Sequence, residues 1–265
     1  MHNKKIIISI QLFNSFKNLE KIIKNIAKSK LNILQIILID NNSATTLINK
    51  TELIKKIKKK YNIKIKIKLI INKINYGYGG SQKILFKSLK KEKFDYLLNL
   101  GSSNRYNINE VLKNLEANLN TLKEYYLFSR FINKQSTKNY NKIRRDFNIL
   151  FILATKIFTK TFFSDPGQST YMMHSKLLNK FDKIKVKNIT NGSHFAHFLN
   201  IKLYKLNLNF KEIPLFWREG NVQSHLKPLN YVIFFCFSLL KYFFTNEFII
   251  EKNNKFKFNE YIFNK

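Results

Sequence analysis

The sequence predicts an α/β fold in which a mainly parallel sheet is flanked by helices on both faces. Over about residues 6–120, apolar runs of strand length alternate with segments whose apolar residues recur at helical spacing. Such alternation is typical of parallel strands joined by helical crossovers. The chain of 265 residues is long enough to bury a substantial core. Its hydrophobic content of 45% argues against global disorder.

Four strands are predicted in this part of the chain, at residues 6–13, 34–40, 63–71 and 94–100. The third strand alternates isoleucine with lysine, which predicts one buried face and one solvated face. A helix is predicted after each strand because apolar residues recur every three or four positions. These helices are marked by Leu19, Ile22, Ile23 and Ile26; by the lysine-rich residues 50–60; by Ile84, Leu85 and Leu89; and by Ile108, Val111, Leu112 and Leu115.

A polar loop follows each of the four strands. Right-handed crossovers place the carboxyl ends of parallel strands at one edge of the sheet. Open α/β proteins bind their ligands at that edge. We therefore expect a ligand site where residues 11–15, 40–43, 75–80 and 101–105 meet.

The second half of the sequence is less regular. A short strand, an apolar helix with a basic start, a turn–strand–helix unit, one or two further strands and a long apolar segment are predicted at residues 126–131, 142–163, 164–181, 202–217 and 230–251. We expect one domain over residues 1–228 and a C-terminal apolar helical segment over residues 229–265. Lys241 and Asn246 interrupt that segment, so it is too short for a confident membrane span. It is predicted either to lie in the membrane interface or to form a buried helix pair.

The formal net charge is +32, from 48 Lys and Arg against 16 Asp and Glu. A field of this sign favours polyanions such as nucleic acid, anionic lipid or phosphorylated substrates. The abundance of Lys, Asn, Ile and Phe is equally consistent with compositional drift. No nucleic-acid-binding motif accompanies the charge, so a nucleic-acid partner is not expected. The single cysteine, Cys236, excludes an intramolecular disulfide and a cysteine-based metal site.

Taken in order, the loops resemble family 2 glycosyltransferases. The segments that carry the resemblance are "ISIQLFN", "IILIDNNS", "INYGYGG", a strand that ends at residue 100, "FSRF", "SDPGQSTYMMHSKLL" and "EIPLFWREG". The resemblance covers about residues 5–228. It is strongest to the polyprenyl-phosphate sugar transferases of the dolichol-phosphate mannose synthase type and their bacterial polysaccharide relatives. It implies the GT-A fold, a Rossmann-like α/β sandwich, and a nucleotide-sugar donor bound at the strand ends.

The resemblance also implies a set of donor-binding residues. Phe13 would lie against the nucleotide base, Ser15 lacks the carboxylate that the family has there, and Asp40 would contact the base or serve as a turn residue. Glycines in "NYGYGG" would let the backbone approach the donor. The donor-binding residues implied are Gln11, Phe13, Asp40, Asn41, Asn75, Gly77, Gly79, Gly80, Gly101, Ser102, Ser103, Arg130 and Trp217.

The metal-binding D-x-D motif of the family is replaced here by Gly101, Ser102 and Ser103. Hydroxyls are poor ligands for Mg²⁺ or Mn²⁺ compared with carboxylates. Three explanations remain open. Asp95 or Asp165 could hold a metal, catalysis could be lost, or cationic side chains could neutralise the diphosphate in place of a metal. We favour the last, with Arg105, Arg130, Arg144, Arg145 and Arg218 as candidate cations.

The resemblance places Asp165 on the acceptor side, and it places Trp217 and Arg218 in a loop that covers the donor. Arg105, Arg218 and Asp165 are the predicted catalytic residues, and no metal ligand is predicted. His194 and His197 lie three residues apart on a predicted helix, so they form a metal pair, a base with its partner, or a structural pair. Residues 185–198 hold no carboxylate. Either a histidine is the general base, or the acceptor is a phosphate, which needs none.

The sequence therefore predicts a glycosyltransferase that moves a sugar from a nucleotide-sugar to a lipid-linked or polysaccharide acceptor in cell-envelope glycan synthesis. It is expected to be cytoplasmic and peripheral on the inner face of the cell membrane. The alternative is a non-catalytic binding or scaffold protein that retains the GT-A fold without the metal site.

Overall fold

The computed structural model describes residues 4–103, 105–118, 121, 123–138, 140–218, 228–249 and 256–264. The described strands are β1 (Ile6–Leu12), β2 (Ile33–Asp40), β3 (Lys66–Asn72), β4 (Tyr96–Gly101), β5 (Tyr125–Ser129), β6 (Tyr171–His174), β7 (Phe210–Pro214) and β8 (Phe258–Phe263). The described α-helices are α1 (Leu19–Ala27), α2 (Leu47–Lys60), α3 (Gly77–Leu89), α4 (Ile108–Asn118), α5 (Lys142–Thr159), α6 (Phe195–Tyr204) and α7 (Pro228–Thr245).

The eight strands form one sheet in the order β7-β5-β6-β4-β1-β2-β3-β8. At its centre β1 pairs in parallel with β2 and β4, and β2 pairs in parallel with β3. This confirms the predicted mainly parallel sheet. Strand β6 is antiparallel to β4 and β5, and β8 is antiparallel to β3.

Helices cover both faces of the sheet and create two apolar cores. One core packs the strands against α1, α2 and α4, and the other packs them against α3, α6 and α7. Because successive side chains of a strand point to opposite faces, Ile7 and Ile8 enter different cores and are both completely buried. The isoleucine-rich strand sequences follow from burial on both faces.

The C-terminal region departs from the prediction. A helical segment was predicted over residues 229–265, but Phe258–Phe263 form strand β8 instead. This strand pairs in antiparallel fashion with β3 at the edge of the sheet. Strand β8 also explains why β3 has no solvated lysine face. Lys68 is buried and its Nζ lies 2.8 Å from Glu260 Oε2 of β8.

Two further boundaries differ. The helix predicted over residues 142–163 ends at Thr159, where Lys160 adopts a left-handed conformation with φ of 51°. The strands predicted over residues 202–217 reduce to β7, because α6 continues to Tyr204. Within the described ranges, no helix combines the length and hydropathy needed to cross a membrane.

Candidate functional site

The loops that follow β1, β2, β3 and β4 meet at the carboxyl edge of the sheet, as expected. The Asn14 backbone N–H donates to Ser43 Oγ over 2.8 Å, and the Ala44 N–H donates to Asn14 Oδ1 over 3.0 Å. Ser15 Oγ and Ser102 Oγ lie 2.6 Å apart. Residues from the ends of β1, β2 and β4 are thus in direct contact.

Asp40 ends β2 and is fully buried. Its Oδ1 accepts hydrogen bonds from the backbone N–H and the hydroxyl of Ser43, and its Oδ2 accepts from Lys50 Nζ at 2.6 Å. Lys50, from α2, is buried as well. Both carboxylate oxygens are therefore used inside the protein. The carboxylate holds the β2 loop, as the alternative role of a turn residue implies, and the predicted contact of Asp40 with a nucleotide base remains a prediction.

Asn41 and Asn75 connect the β2 loop to the start of α3. Asn41 Nδ2 donates to Asn75 Oδ1 over 2.6 Å, and Asn41 Oδ1 accepts from the Tyr76 backbone N–H over 2.9 Å. Asn75 Oδ1 also accepts from the Gly77 N–H. The predicted donor-binding role of these two asparagines is untested, but their side chains already position this corner.

The glycines at the start of α3 pack against the chain itself. A Cβ at Gly79 would lie 2.4 Å from the Thr190 carbonyl oxygen, and one at Gly77 would lie 2.5 Å from that of Asn191. The N–H groups of Gly79 and Gly80 donate to the carbonyls of Gly192 and Asn191 over 3.3 and 3.2 Å. The absence of a Cβ at Gly77 and Gly79 is thus required by the close approach of residues 190–192, and the predicted role of these glycines in donor binding remains a prediction.

The end of β4 is closed by a tyrosine. The Gly101 backbone N–H donates to the Tyr106 hydroxyl over 2.7 Å, and this hydroxyl is 3.2 Å from the Gly101 carbonyl oxygen, to which it donates. Ser102 is buried, whereas Ser103 is partly exposed. The segment that replaces D-x-D is thus a neutral turn.

These residues do not fit Mg²⁺ or Mn²⁺. Within the described part of the chain, no three His, Cys, Asp or Glu side chains are grouped so that they could hold a metal ion. Asp95 precedes β4 and lies at the opposite end of that strand from Gly101, beside the Lys5 backbone N–H. Asp165, the other acid considered for a metal, is paired with an arginine.

Arg130 and Asp165 form a buried bidentate ion pair. Arg130 Nε lies 2.7 Å from Asp165 Oδ2, and Arg130 Nη2 lies 2.8 Å from Asp165 Oδ1. The Arg130 backbone N–H also donates to Asp165 Oδ2. Burial lowers the pKa of the guanidinium, but the charge and hydrogen bonds of Asp165 outweigh it, so the pKa is raised and the group stays charged. The pairing shows that each residue balances the charge of the other, and the predicted roles of Arg130 in donor binding and Asp165 in catalysis remain predictions.

Trp217 lies between two arginines. The guanidinium carbons of Arg105 and Arg130 are 5.7 and 5.1 Å from the centre of its ring, distances typical of cation–π contacts. Tyr106 pairs with Trp217 in an isolated antiparallel bridge, and their rings stack with centres 6.3 Å apart. Trp217 is therefore a partly buried platform.

That bridge brings Arg105 and Arg218 side by side. The Arg218 backbone N–H donates to the Arg105 carbonyl oxygen over 2.6 Å. The Arg218 side chain is exposed and Arg105 is partly exposed. Arg105 lies two residues after Ser103, and its backbone contact with Arg218 brings both arginines to the carboxyl end of β4. The remainder of the predicted covering loop, residues 219–227, lies outside the described residues.

His194 and His197 are structural. His197 is buried and its Nε2 lies 2.7 Å from Thr155 Oγ1. Burial, with the nearby charges of His194 and Arg130, lowers its pKa to about 3, so it is neutral at physiological pH. The His194 ring stacks on Tyr231 with centres 3.8 Å apart. Of the alternatives left open by the sequence, the structural pair fits this packing.

Gln11 and Phe13 lie at the edge, one with a buried side-chain donor and the other with an exposed ring. Gln11 Nε2 is a buried atom without a hydrogen-bond partner among the described residues, and such a donor calls for an explanation. Phe13 is 40% exposed, which is unusual for an aromatic ring beside a sheet. Both were predicted to bind a donor, and their geometry leaves that prediction intact.

Sequence reasoning missed a buried polar network beneath the edge. Asn99 Oδ1 accepts from Ser9 Oγ and Gln82 Nε2 over 2.7 and 2.9 Å, and Asn99 Nδ2 donates to the Ser169 carbonyl over 2.7 Å. The Tyr171 hydroxyl donates to Gln82 Oε1. The signal was present, since Ser9 and Asn99 interrupt two otherwise apolar strands.

Comparisons with known proteins agree with this architecture. Residues 7–187 match the family model described as "Glycosyl transferase family 2". A structure of glucosyl-3-phosphoglycerate synthase from Mycobacterium tuberculosis with Mn²⁺, uridine diphosphate and phosphoglyceric acid superposes with a TM-score of 0.57 at 11% identity, covering 98% of this chain and 87% of that one. S. aureus TarS, residues 1–349, in complex with UDP-GlcNAc gives a TM-score of 0.54 at 16% identity, covering 92% and 67%. No curated protein sequence gives a significant match. At these identities the two structures show a shared fold.

Proposed function

The chain belongs to glycosyl transferase family 2, and from that premise we propose that it transfers a sugar from a nucleotide-sugar to a lipid-linked or polysaccharide acceptor. The observation that carries the proposal is the meeting of four strand-end loops at one sheet edge. Ligands of open α/β sheets bind at that edge. The S. aureus and M. tuberculosis structures contain UDP-GlcNAc and uridine diphosphate, which supports a nucleotide-sugar as the donor class.

In this proposal the donor base lies near Phe13 and Gln11, and the diphosphate lies near Gly101–Ser103. The acceptor oxygen forms a bond to the anomeric carbon of the sugar while the bond from that carbon to the phosphate oxygen breaks. The electron pair leaves with the nucleoside diphosphate, which gains negative charge. Arg105 and Arg218 would offset this charge, since fixed cations at a site of developing charge lower the barrier.

A phosphate acceptor suits the residues present. Such an acceptor is already deprotonated, so it needs no general base. The pKa of His197, lowered to about 3 by burial, makes this histidine a poor base at neutral pH. We therefore favour a polyprenyl-phosphate acceptor, and hence hexose transfer of the dolichol-phosphate type at the inner face of the cell membrane in envelope glycan synthesis. Such a protein would be cytoplasmic and peripheral.

A specific observation favours a second candidate, a non-catalytic GT-A scaffold. Asp40 and Asp165, the acids predicted at the site, are both paired with buried cations, and the turn at Gly101–Ser103 is neutral. A protein that bound a nucleotide-sugar without turning it over would need no more than this. The two candidates therefore differ in turnover and share donor binding.

One experiment separates them. The purified full chain is incubated with UDP-, GDP- and CDP-sugars, with a polyprenyl phosphate or an envelope glycan as acceptor, and both binding and product formation are measured. Transfer to either acceptor supports the proposed function. Nucleotide-sugar binding without transfer to any acceptor supports the scaffold. Absence of binding to every nucleotide-sugar contradicts both candidates.

A further inference from the structure

Helix α5 carries an apolar stripe on its outward face. Ile143, Phe147, Leu150, Leu153 and Ile157 recur at intervals of three or four residues, so they lie along one side of the helix. All five are exposed, with Ile143 and Ile157 at 68% and 70%. The opposite side is buried through Ile152, Thr155 and Thr159. A helix that is apolar on both sides is normally buried all round, so the outward stripe calls for another partner.

Helix α7 repeats the pattern. Leu229, Ile233, Phe237, Leu240 and Phe244 recur at the same spacing, and all are exposed, Phe244 at 77%. Of the twenty-one exposed large apolar side chains among the described residues, thirteen lie within residues 143–162 or on α7. Their concentration in two helices distinguishes this surface from the scattered apolar residues of an ordinary surface.

The two stripes form one surface. Phe151 of α5 packs on Phe235 of α7 with ring centres 4.7 Å apart, and Phe158 packs on Phe243 at 5.9 Å. The residue numbers of these contacts increase together along α5 and α7. The two helices therefore run parallel and side by side. Both helices pack against the same core, which contains Phe235 and Leu239 of α7 and is contacted by the partly buried Phe151 and Phe158 of α5. Their outward stripes therefore point the same way, and we name this surface the α5–α7 face.

We propose that the α5–α7 face docks on an anionic lipid bilayer, lying in the interface with its apolar side chains among the acyl chains. The charges on its helices are complementary to such a surface: the single acid is Asp146, and the cations are Lys142, Arg144, Arg145, Lys156, Lys160 and Lys241. Amphipathic helices with apolar stripes and flanking lysine or arginine bind in this way. Basic residues next to the membrane add attraction to anionic lipid.

A second copy of the chain is the poorer occupant. An interface between two α5–α7 faces would bring both sets of cations together, whereas the membrane surface supplies the opposite charge. Neither helix meets the requirements for crossing a membrane. The bilayer interface therefore satisfies the apolar stripes and the cations together.

The face adjoins the candidate site, and in this respect the inference rests on the proposed function. Arg130 donates to the Tyr140 hydroxyl over 3.2 Å, and Asn148 of α5 donates to the same hydroxyl over 2.9 Å. The first turns of α5 thus lie beside the Arg130–Trp217 cluster. A docked protein would hold its site at the surface that carries a lipid-linked acceptor.

Vesicle flotation of the full chain tests the inference without donor or acceptor. We expect binding to vesicles of equal phosphatidylcholine and phosphatidylglycerol, and little binding to pure phosphatidylcholine. Ile157→Glu combined with Phe237→Glu places a charge on each stripe and should lower binding about tenfold or more. The matched control is Ile48→Glu on α2, because Ile48 is 66% exposed and lies outside the face. It should bind as the unmodified chain does.

Failure of the unmodified chain to bind anionic vesicles would overturn the inference, and so would equal binding by the doubly substituted chain. A concentration-dependent dimer in light scattering that Ile157→Glu dissociates would assign the face to a second copy and also overturn it. Circular dichroism checks that the variants fold. Sugar transfer to a water-soluble acceptor without vesicle binding would contradict this inference alone. Vesicle binding without nucleotide-sugar turnover would contradict the proposed function alone.

Discussion

Ser15 Oγ and Ser102 Oγ lie 2.6 Å apart and share a hydrogen bond between the loops that follow β1 and β4. The resemblance predicts that Ser15 occupies the position of a family carboxylate and that Ser102 is the central residue of the turn at the position of the metal-binding motif. Two carboxylates this close would need a cation between them, whereas two hydroxyls satisfy each other. The neutral pair explains why the edge needs no metal ion for its own stability. The positive charge that a diphosphate needs must then come from other residues, and we propose that Arg105 and Arg218, which follow β4 and its neighbour Trp217 in the bridge, supply it.

Removing either arginine should abolish most donor turnover. For Arg105→Ala and Arg218→Ala we expect a loss of about 10²–10³-fold in the rate of transfer, because a fixed stabiliser of the leaving group is lost. Thermal unfolding should change little, since Arg218 is exposed. Lys90→Ala is the control, because Lys90 is an exposed cation at the C-terminal end of α3, where it faces Asp182. Unchanged transfer rates in both site variants would show that the diphosphate binds elsewhere.

Breaking the Arg130–Asp165 pair should destabilise the fold. Asp165→Asn leaves a buried guanidinium without its counter-charge, and we expect a loss of about 3–5 kcal/mol in the free energy of unfolding. Asp146→Asn is the matched control, since its ion pair with Arg145 is exposed and should be worth less than about 1 kcal/mol. Chemical denaturation measures both. Equal small losses would indicate that Asp165 is not the stabilising partner that the geometry shows.

A methyl group at Gly79 should be far more costly than one at Gly101. A Cβ at Gly79 meets the Thr190 carbonyl oxygen at 2.4 Å, whereas one at Gly101 meets only the Tyr106 hydroxyl, at 3.5 Å. We expect Gly79→Ala to lower the free energy of unfolding by about 1–3 kcal/mol, through forced displacement of the backbone. Gly101→Ala should stay within about 1 kcal/mol of the unmodified chain. The reverse order would contradict the packing of α3 on residues 190–192.

Stability should fall with acid through His197. The unfolded chain protonates this histidine near its ordinary pKa of 6.5, whereas burial keeps the folded imidazole neutral down to about 3. The unfolded state therefore binds more protons in this window, and the free energy of unfolding decreases as pH falls, by at most about 1.4 kcal/mol per pH unit. His197→Gln removes this contribution. Between about pH 6.5 and pH 5 its free energy of unfolding should fall by about 1–2 kcal/mol less than that of the unmodified chain. If the free energies of unfolding of the variant and of the unmodified chain fell equally over this pH range, the burial of a neutral His197 would be contradicted.

The sheet and the meeting of its loops could be predicted because they depend on local pattern. Runs such as Ile6–Ile8 alternate with helical periodicity, and chirality then brings the strand ends together. The roles of Asp40 and the glycines could not be predicted in this way. The partner of Asp40 is one lysine among many on α2, and the neighbours of Gly79 come from residues 190–192, more than a hundred positions away.

Pairing between distant acids and bases was also beyond the sequence. Arg130 and Asp165 belong to separate motifs, so the sequence predicts a ligand contact for each of them. In the structure the two side chains bind each other. Strand β8 was missed because its sequence, "FNEYIF", is short and follows a strongly apolar helix. Lys68 of β3 was predicted to face solvent because the sequence did not reveal β8, whose Glu260 forms its ion pair. Long-range partners decide whether a charge faces a ligand or the core.

The dependence of transfer on divalent metal tests the central claim most directly. The rate of sugar transfer from the best nucleotide-sugar is measured with the full chain after metal removal, in the presence of a chelator, and again with added Mg²⁺ or Mn²⁺. We predict the same rate in all three conditions, because Arg105 and Arg218 replace the metal at the Gly101–Ser103 turn. Transfer that the chelator abolishes and that Mn²⁺ or Mg²⁺ restores would contradict the claim.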